Sequence, residues 1–112
     1  MNWNTLTTID QLTTIDSEST QQPVMILKHS TRCSISSAAL ARLERSWDEG
    51  AGIKAYYLDL IAHRDVSNAI AERYAVEHQS PQVIVIKNGK AVYNESHMGI
   101  QADEIIEQAQ AV

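Results

Sequence analysis

The 112-residue chain has a single cysteine, Cys33, so it can form no internal disulfide. Proline (2) and glycine (4) are scarce, and 44% of the residues are hydrophobic, which together exclude a disordered or low-complexity chain. Basic residues are in deficit. Nine Lys and Arg stand against 14 Asp and Glu, for a net charge of -5. That balance argues against a generic nucleic-acid binder and against a polybasic membrane-surface protein, since both need a basic face. No apolar run exceeds four residues, as in Val24–Leu27 and Val83–Ile86, far short of the roughly 20 that span a bilayer. Residues 1–5 carry neither a basic nor an apolar leader pattern, so no signal peptide is expected. A lone thiol in an acidic chain without a leader points to the reducing cytoplasm. The apolar content is enough for one core, and residues 1–112 read as one domain, with the polar residues 1–7 loose.

The periodicity places the elements. Ile9, Leu12 and Ile15 recur at helical spacing from Thr8, and Thr8 with Gln11 has the form of a capping box. Pro23 opens a buried strand, Val24 to His29. Ile35, Ala39, Leu43 and Trp47 predict a helix from about Cys33 to Trp47, stopped by Gly50 and Gly52. A second strand runs Ile53 to Leu60, with Tyr56, Leu58 and Leu60 on one face and Ala55, Tyr57 and Asp59 on the other. Asp65 is expected to cap a helix through Val66, Ala69, Ile70 and Tyr74. Gln82 to Lys87 is apolar on both faces and reads as an interior strand. Asn88-Gly89 signals a tight hairpin into a fourth strand, Ala91 to Ser96. Ala102, Ile105, Ile106 and Ala109 form a last amphipathic helix, with Asp103 and Glu104 at its positive end. Helices between the early strands imply parallel crossovers, and the hairpin adds an antiparallel edge. The expected fold is α/β and thioredoxin-like, a four-stranded mixed sheet flanked by helices on both faces.

Cys33 is the first candidate for chemistry. It falls just after an apolar strand, at the first turn of a helix, where free backbone N–H groups and the positive dipole end favour a thiolate. Arg32 adds a positive charge, and Ser30, Thr31, Ser34 and Ser36 suit an exposed turn rather than a buried hydrophobe. Ser36 stands where a Cys-x-x-Cys pair would carry its second thiol. Without that thiol, a mixed disulfide on Cys33 must be resolved from outside. Taken alone, Ser36 reads as an ordinary first-turn serine. Pro81 opens a strand, and the order of elements favours a cis Ser80–Pro81 bond facing the Cys33 turn. Ser80 would then offer backbone groups to a bound thiol compound. The four histidines, His29, His63, His78 and His97, form no metal spacing. His29 can support the thiolate if it points to the turn, whereas His78 and His97 read as surface residues.

The chain resembles the monothiol bacilliredoxin family, small thioredoxin-like proteins of the bacillithiol redox system. The resemblance rests on Lys28-His29-Ser30-Thr31, on Cys33 with Ile35-Ser36, on Arg64 and Ser67-Asn68, and on His78-Gln79-Ser80-Pro81-Gln82. Lys87-Asn88-Gly89-Lys90 and Ser96-His97 extend it, and it runs from about Thr8 to Glu107. The family's usual tetrad is Cys-Pro-Ile-Ser, and here Ser34 replaces the proline. The resemblance implies that Cys33 removes bacillithiol, or a similar low-molecular-weight thiol, from protein mixed disulfides. Ser80, Pro81, Arg32, Ser34, Ser36 and His29 would form the substrate-binding surface. It implies no bound cofactor and no metal, with bacillithiol as co-substrate. The partners would be client proteins carrying mixed disulfides and the small thiol, with no nucleic acid and no membrane. Two other readings remain open at this point: a thiol sensor without turnover, and a glutaredoxin-like iron–sulfur carrier.

Overall fold

The two apolar runs become neighbouring interior strands. In the computed structural model, which describes residues 1–111, β1 (Trp3–Thr5), α1 (Gln11–Glu18), β2 (Val24–His29), α2 (Ser34–Ser46), β3 (Lys54–Asp59), α3 (Arg64–Tyr74), β4 (Gln82–Lys87), β5 (Lys90–Ser96) and α4 (Ala102–Gln110) follow in that order. The strands form one sheet in the order β1-β3-β2-β4-β5. β1 and β2 each run parallel to β3, whereas β4 enters antiparallel to β2 and β5 antiparallel to β4. The fold is thioredoxin-like, with five strands rather than the expected four.

Alternation along the strands divides the core into two layers. Val24 and Ile26 of β2, Tyr56 and Leu58 of β3, and Ile84 and Ile86 of β4 pack with Leu12 and Ile15 of α1 and Val66, Ile70 and Tyr74 of α3. Met25 and Leu27 of β2, and Val83 and Val85 of β4, pack on the other face with Ala39 and Leu43 of α2 and Ile105 and Ala109 of α4. The hairpin forms where Asn88 and Gly89 both take positive φ, 53° and 74°. Ser19 holds it there: Asn88 N–H donates to the Ser19 carbonyl at 2.9 Å and Gly89 N–H to Ser19 Oγ at 2.8 Å.

Several expectations are corrected. Residues 1–7, read as loose, contribute β1, because the outer edge of β3 offers free backbone partners to Trp3–Thr5. The first helix begins at Gln11 rather than Thr8, and Ile9 stays exposed in the preceding turn. The Gln11 half of the capping box does form, as its Oε1 accepts from Thr8 N–H at 3.0 Å. Asp65 lies inside the first turn of α3, and the capping position is His63. Ile35, assigned to the buried face of α2, is 53% exposed.

One residue breaks the apolar pattern of β2. Lys28 lies on the same face as Val24 and Ile26 and is completely buried. Its Nζ donates to the Ser67 carbonyl of α3 at 3.2 Å. It belongs to none of the ion pairs among the described residues. Burial pushes its amine from an ordinary 10.5 down to about 8, so it is charged at neutral pH at a cost to the fold. A lowered lysine pKa places that cost below about pH 8, and the cost is relieved as pH rises toward 10.5, where the unfolded lysine also loses its proton. Lys28→Met, close in volume, should therefore raise stability at pH 7 by about 1–3 kcal/mol. Urea unfolding at pH 7 and pH 10 measures this, and the gain should shrink at the higher pH.

Candidate active site

The site is built at the C-terminal end of β2. The strand closes at His29, and the chain turns through Ser30, Thr31 and Arg32, with Cys33 N–H donating to the Ser30 carbonyl at 3.2 Å. Cys33 takes an extended conformation (φ -112°, ψ 122°) as the capping residue of α2, and its carbonyl accepts the helical bond from Ser37 N–H at 3.0 Å. The N–H groups of Ser34, Ile35 and Ser36 have no helical acceptor and form the positive end of the helix around the thiol. Cys33 is half-buried, while Arg32 and Ser34 beside it are exposed.

Ser36 and His29 differ from their expected place on the binding surface. Both are buried, Ser36 completely. Ser30 N–H donates to Ser36 Oγ at 3.0 Å, and Ser36 Oγ lies 2.7 Å from His29 Nδ1. With one acceptor site of Oγ filled by Ser30, the arrangement that uses every proton has the hydroxyl donating to a neutral His29. Burial lowers the imidazole pKa, with Asp59, Ser36 and Glu44 pulling it back up, which keeps the ring uncharged at neutral pH. His29 also lies against Tyr57, with ring centroids 5.5 Å apart, and Tyr57 meets Trp3 of β1 edge-on at 6.0 Å. Ser36 and His29 therefore pin the first turn of α2 to the sheet from beneath. The polar character of Ser36 was visible in the sequence, but its inward direction was not.

The second strand of the site is β4. The Ser80–Pro81 bond is cis, as expected from the order of elements. Gln82 pairs with Lys28, so the register carries Pro81 to the level of His29, at the sheet end from which the Cys33 turn departs. Pro81 is buried, Ser80 is half-exposed, and among the described residues the Ser80 backbone makes no hydrogen bond. The buried Gln82 side chain holds the approach: its Nε2 donates to the Glu77 carbonyl at 2.9 Å and its Oε1 accepts from Gln79 N–H at 3.4 Å. Beyond β5, His97 N–H donates to the Pro81 carbonyl at 3.1 Å. Arg42 of α2 ties this turn down through the carbonyls of Ile100 and His97, at 3.0 and 3.1 Å. Two exposed apolar side chains flank this end, Ile35 and Met98.

His78 is exposed, as the sequence suggested, yet its ring is not without partners. Its Nδ1 lies 3.3 Å from Lys28 Nζ and 3.4 Å from Ser67 Oγ. No group of three metal-ligating side chains gathers among the described residues, and no helix there is long and apolar enough to cross a membrane. A concavity of about 560 Å³ lies between the hairpin and the end of α4, at the opposite end of β4 from Pro81.

Comparison with known proteins agrees with this geometry. A solved structure of a presumed oxidoreductase with a thioredoxin fold shares 32% identity at a TM-score of 0.77, over 93% of this chain and 90% of that one. The thioredoxin of Malassezia sympodialis matches at a TM-score of 0.77 with 16% identity, over 98% and 92%. That of Fasciola hepatica matches at 0.71 with 18% identity, over 95% of each chain. The last two are similar in fold alone. The family model of the monothiol bacilliredoxin BrxC matches residues 4–105, which include the Cys33 turn and the Ser80–Pro81 bond. On that match the chain belongs to the monothiol bacilliredoxin family, a thiol redox family on the thioredoxin fold.

Proposed function

We propose that the protein removes bacillithiol, or a similar low-molecular-weight thiol, from protein mixed disulfides in the cytoplasm, with Cys33 as the nucleophile. The observation that carries this reading is the absence of a resolving thiol. Cys33 is the lone cysteine, and the residue at the resolver's position, Ser36, is buried and fully engaged in hydrogen bonds. The Cys33 thiolate attacks the bacillithiol sulfur. A new sulfur–sulfur bond forms, the old one breaks, and the client cysteine leaves as a thiolate that takes a proton from water. Bacillithiol stays on Cys33 until a second small thiol attacks and regenerates the free cysteine.

The other parts of the site suit a macromolecular disulfide. Ile35 and Met98 offer a protein client apolar contact. Ser80 N–H and C=O are available for a short strand-like pairing with the disulfide's backbone. Arg32 and Ser34 flank the sulfur as exposed polar contacts for the small thiol.

Incubation with a bacillithiol-modified client should release the client thiol and leave one bacillithiol on Cys33, read by intact mass. Cys33→Ala should do neither. Client release by Cys33→Ala at the wild-type rate, or a wild type that takes bacillithiol from its free disulfide but leaves the modified client intact, would overturn the reading, and the latter would favour the sensor.

Ser36→Ala tests the support of the turn. Losing the hydroxyl leaves the Ser30 N–H and His29 Nδ1 unpaired, at a cost of about 1–3 kcal/mol in stability. Exchange should slow severalfold without being abolished, because the nucleophile remains. Stopped-flow rates beside thermal unfolding measure both effects.

A further inference from the structure

Lys28 is the one buried charge that the exchange chemistry does not use. Its ammonium is completely buried without a carboxylate, and burial alone shifts its titration. A residue that costs the fold stability without a structural return is a candidate for a functional role. What it holds is the approach to Pro81. Its backbone is in register with Gln82, one residue after Pro81, and its side chain reaches His78, three residues before Pro81. Ser67 of α3 meets the same two groups, through its carbonyl to Lys28 and its hydroxyl to His78. Gln82 closes the segment from inside through Glu77 and Gln79. Residues 78–82 thus form a strap gripped at both ends by one residue of β2, with the unbonded Ser80 backbone between the grips.

We propose that Lys28, acting through His78, is a positioning residue that sets where the Ser80 backbone meets a disulfide docked at Cys33, an inference that rests on the exchange reading above. The contact requires an unprotonated Nδ1 on His78, because an ammonium can only donate. The charged groups facing His78 are Lys28 from β2 and Arg64 from α3; both are cationic, and with burial they hold its pKa below the ordinary value. Below that lowered value, a proton on the ring would set N–H against ammonium and release the strap. Substrate binding should therefore weaken on the acid side.

The test compares wild type, Lys28→Met, His78→Gln and His78→Ala on one bacillithiol-modified client, with kcat and KM followed from acid to neutral pH. Lys28→Met should raise KM about threefold to tenfold, the worth of one or two hydrogen bonds, with kcat little changed. It should do so although the variant unfolds at higher urea, an opposition that a merely structural lysine would not produce. His78→Gln can still accept from Lys28 but cannot titrate. It should show a KM that is flat across the acid range, and a kcat/KM above that of His78→Ala. A wild-type KM in Lys28→Met, or an acid-side rise that persists in His78→Gln, would overturn the proposal. The Ser80 amide resonance of the reduced protein gives a readout independent of turnover. It should move in Lys28→Met, and an unmoved resonance would refute the positioning role. A wild type that releases no client thiol would instead refute the exchange reading, and the resonance would still decide the role of Lys28.

Discussion

The end of β2 is the constraint on which the site depends. Two adjacent residues there, Lys28 and His29, point to opposite faces of the sheet, as neighbours in a strand must. His29 reaches down to Ser36 and fixes the first turn of α2, and with it Cys33. Lys28 reaches the other way to Ser67 and His78, on the strap that carries Ser80 and Pro81. The lone cysteine and the strap that carries Pro81 thus hang from consecutive residues of one buried strand. Side chains so placed are locked by packing, which is what precise placement of a reacting sulfur needs.

The single thiol changes what the helix end must do. A dithiol protein can release its partner with a second cysteine of its own, whereas under the proposed exchange an outside thiol would do so. The resolver's position is free to serve as structure, and Ser36 fills it with a hydroxyl that satisfies one backbone donor and one ring nitrogen. Ser34 gives the first turn a backbone N–H that the family's usual proline lacks, adding a donor near the sulfur.

Much of this was legible in the sequence for a physical reason. The strands from Val24 and Gln82 each carry four consecutive apolar residues, which a strand buried on both faces tolerates. Asn88-Gly89 accepts the positive φ of a tight hairpin, and the serine-rich stretch after His29 marks a helix start. Other elements were not legible. β1 is three mostly polar residues, and it is a strand only because β3 leaves an edge to pair with. Asp65 has the chemistry of a cap, yet the chain enters α3 two residues earlier than capping by Asp65 would need. Ile35 has helical spacing with Ala39 and Leu43, but it lies in the first turn at the open end of the sheet, where no layer covers it.

The sequence by itself determined the kinds of element, their order, and the presence of one cysteine at the head of a helix, because local periodicity and turn chemistry are written in neighbouring residues. Tertiary structure alone decided the partners of Lys28, His29, Ser36 and His78. Their contacts join residues 7 to 50 positions apart, and no local pattern encodes which face of a strand will meet which helix. Ser36 looks like a surface polar residue in sequence and is buried, while His78, exposed as the sequence suggested, meets Lys28 only because the ends of β2, α3 and β4 come together at one end of the sheet.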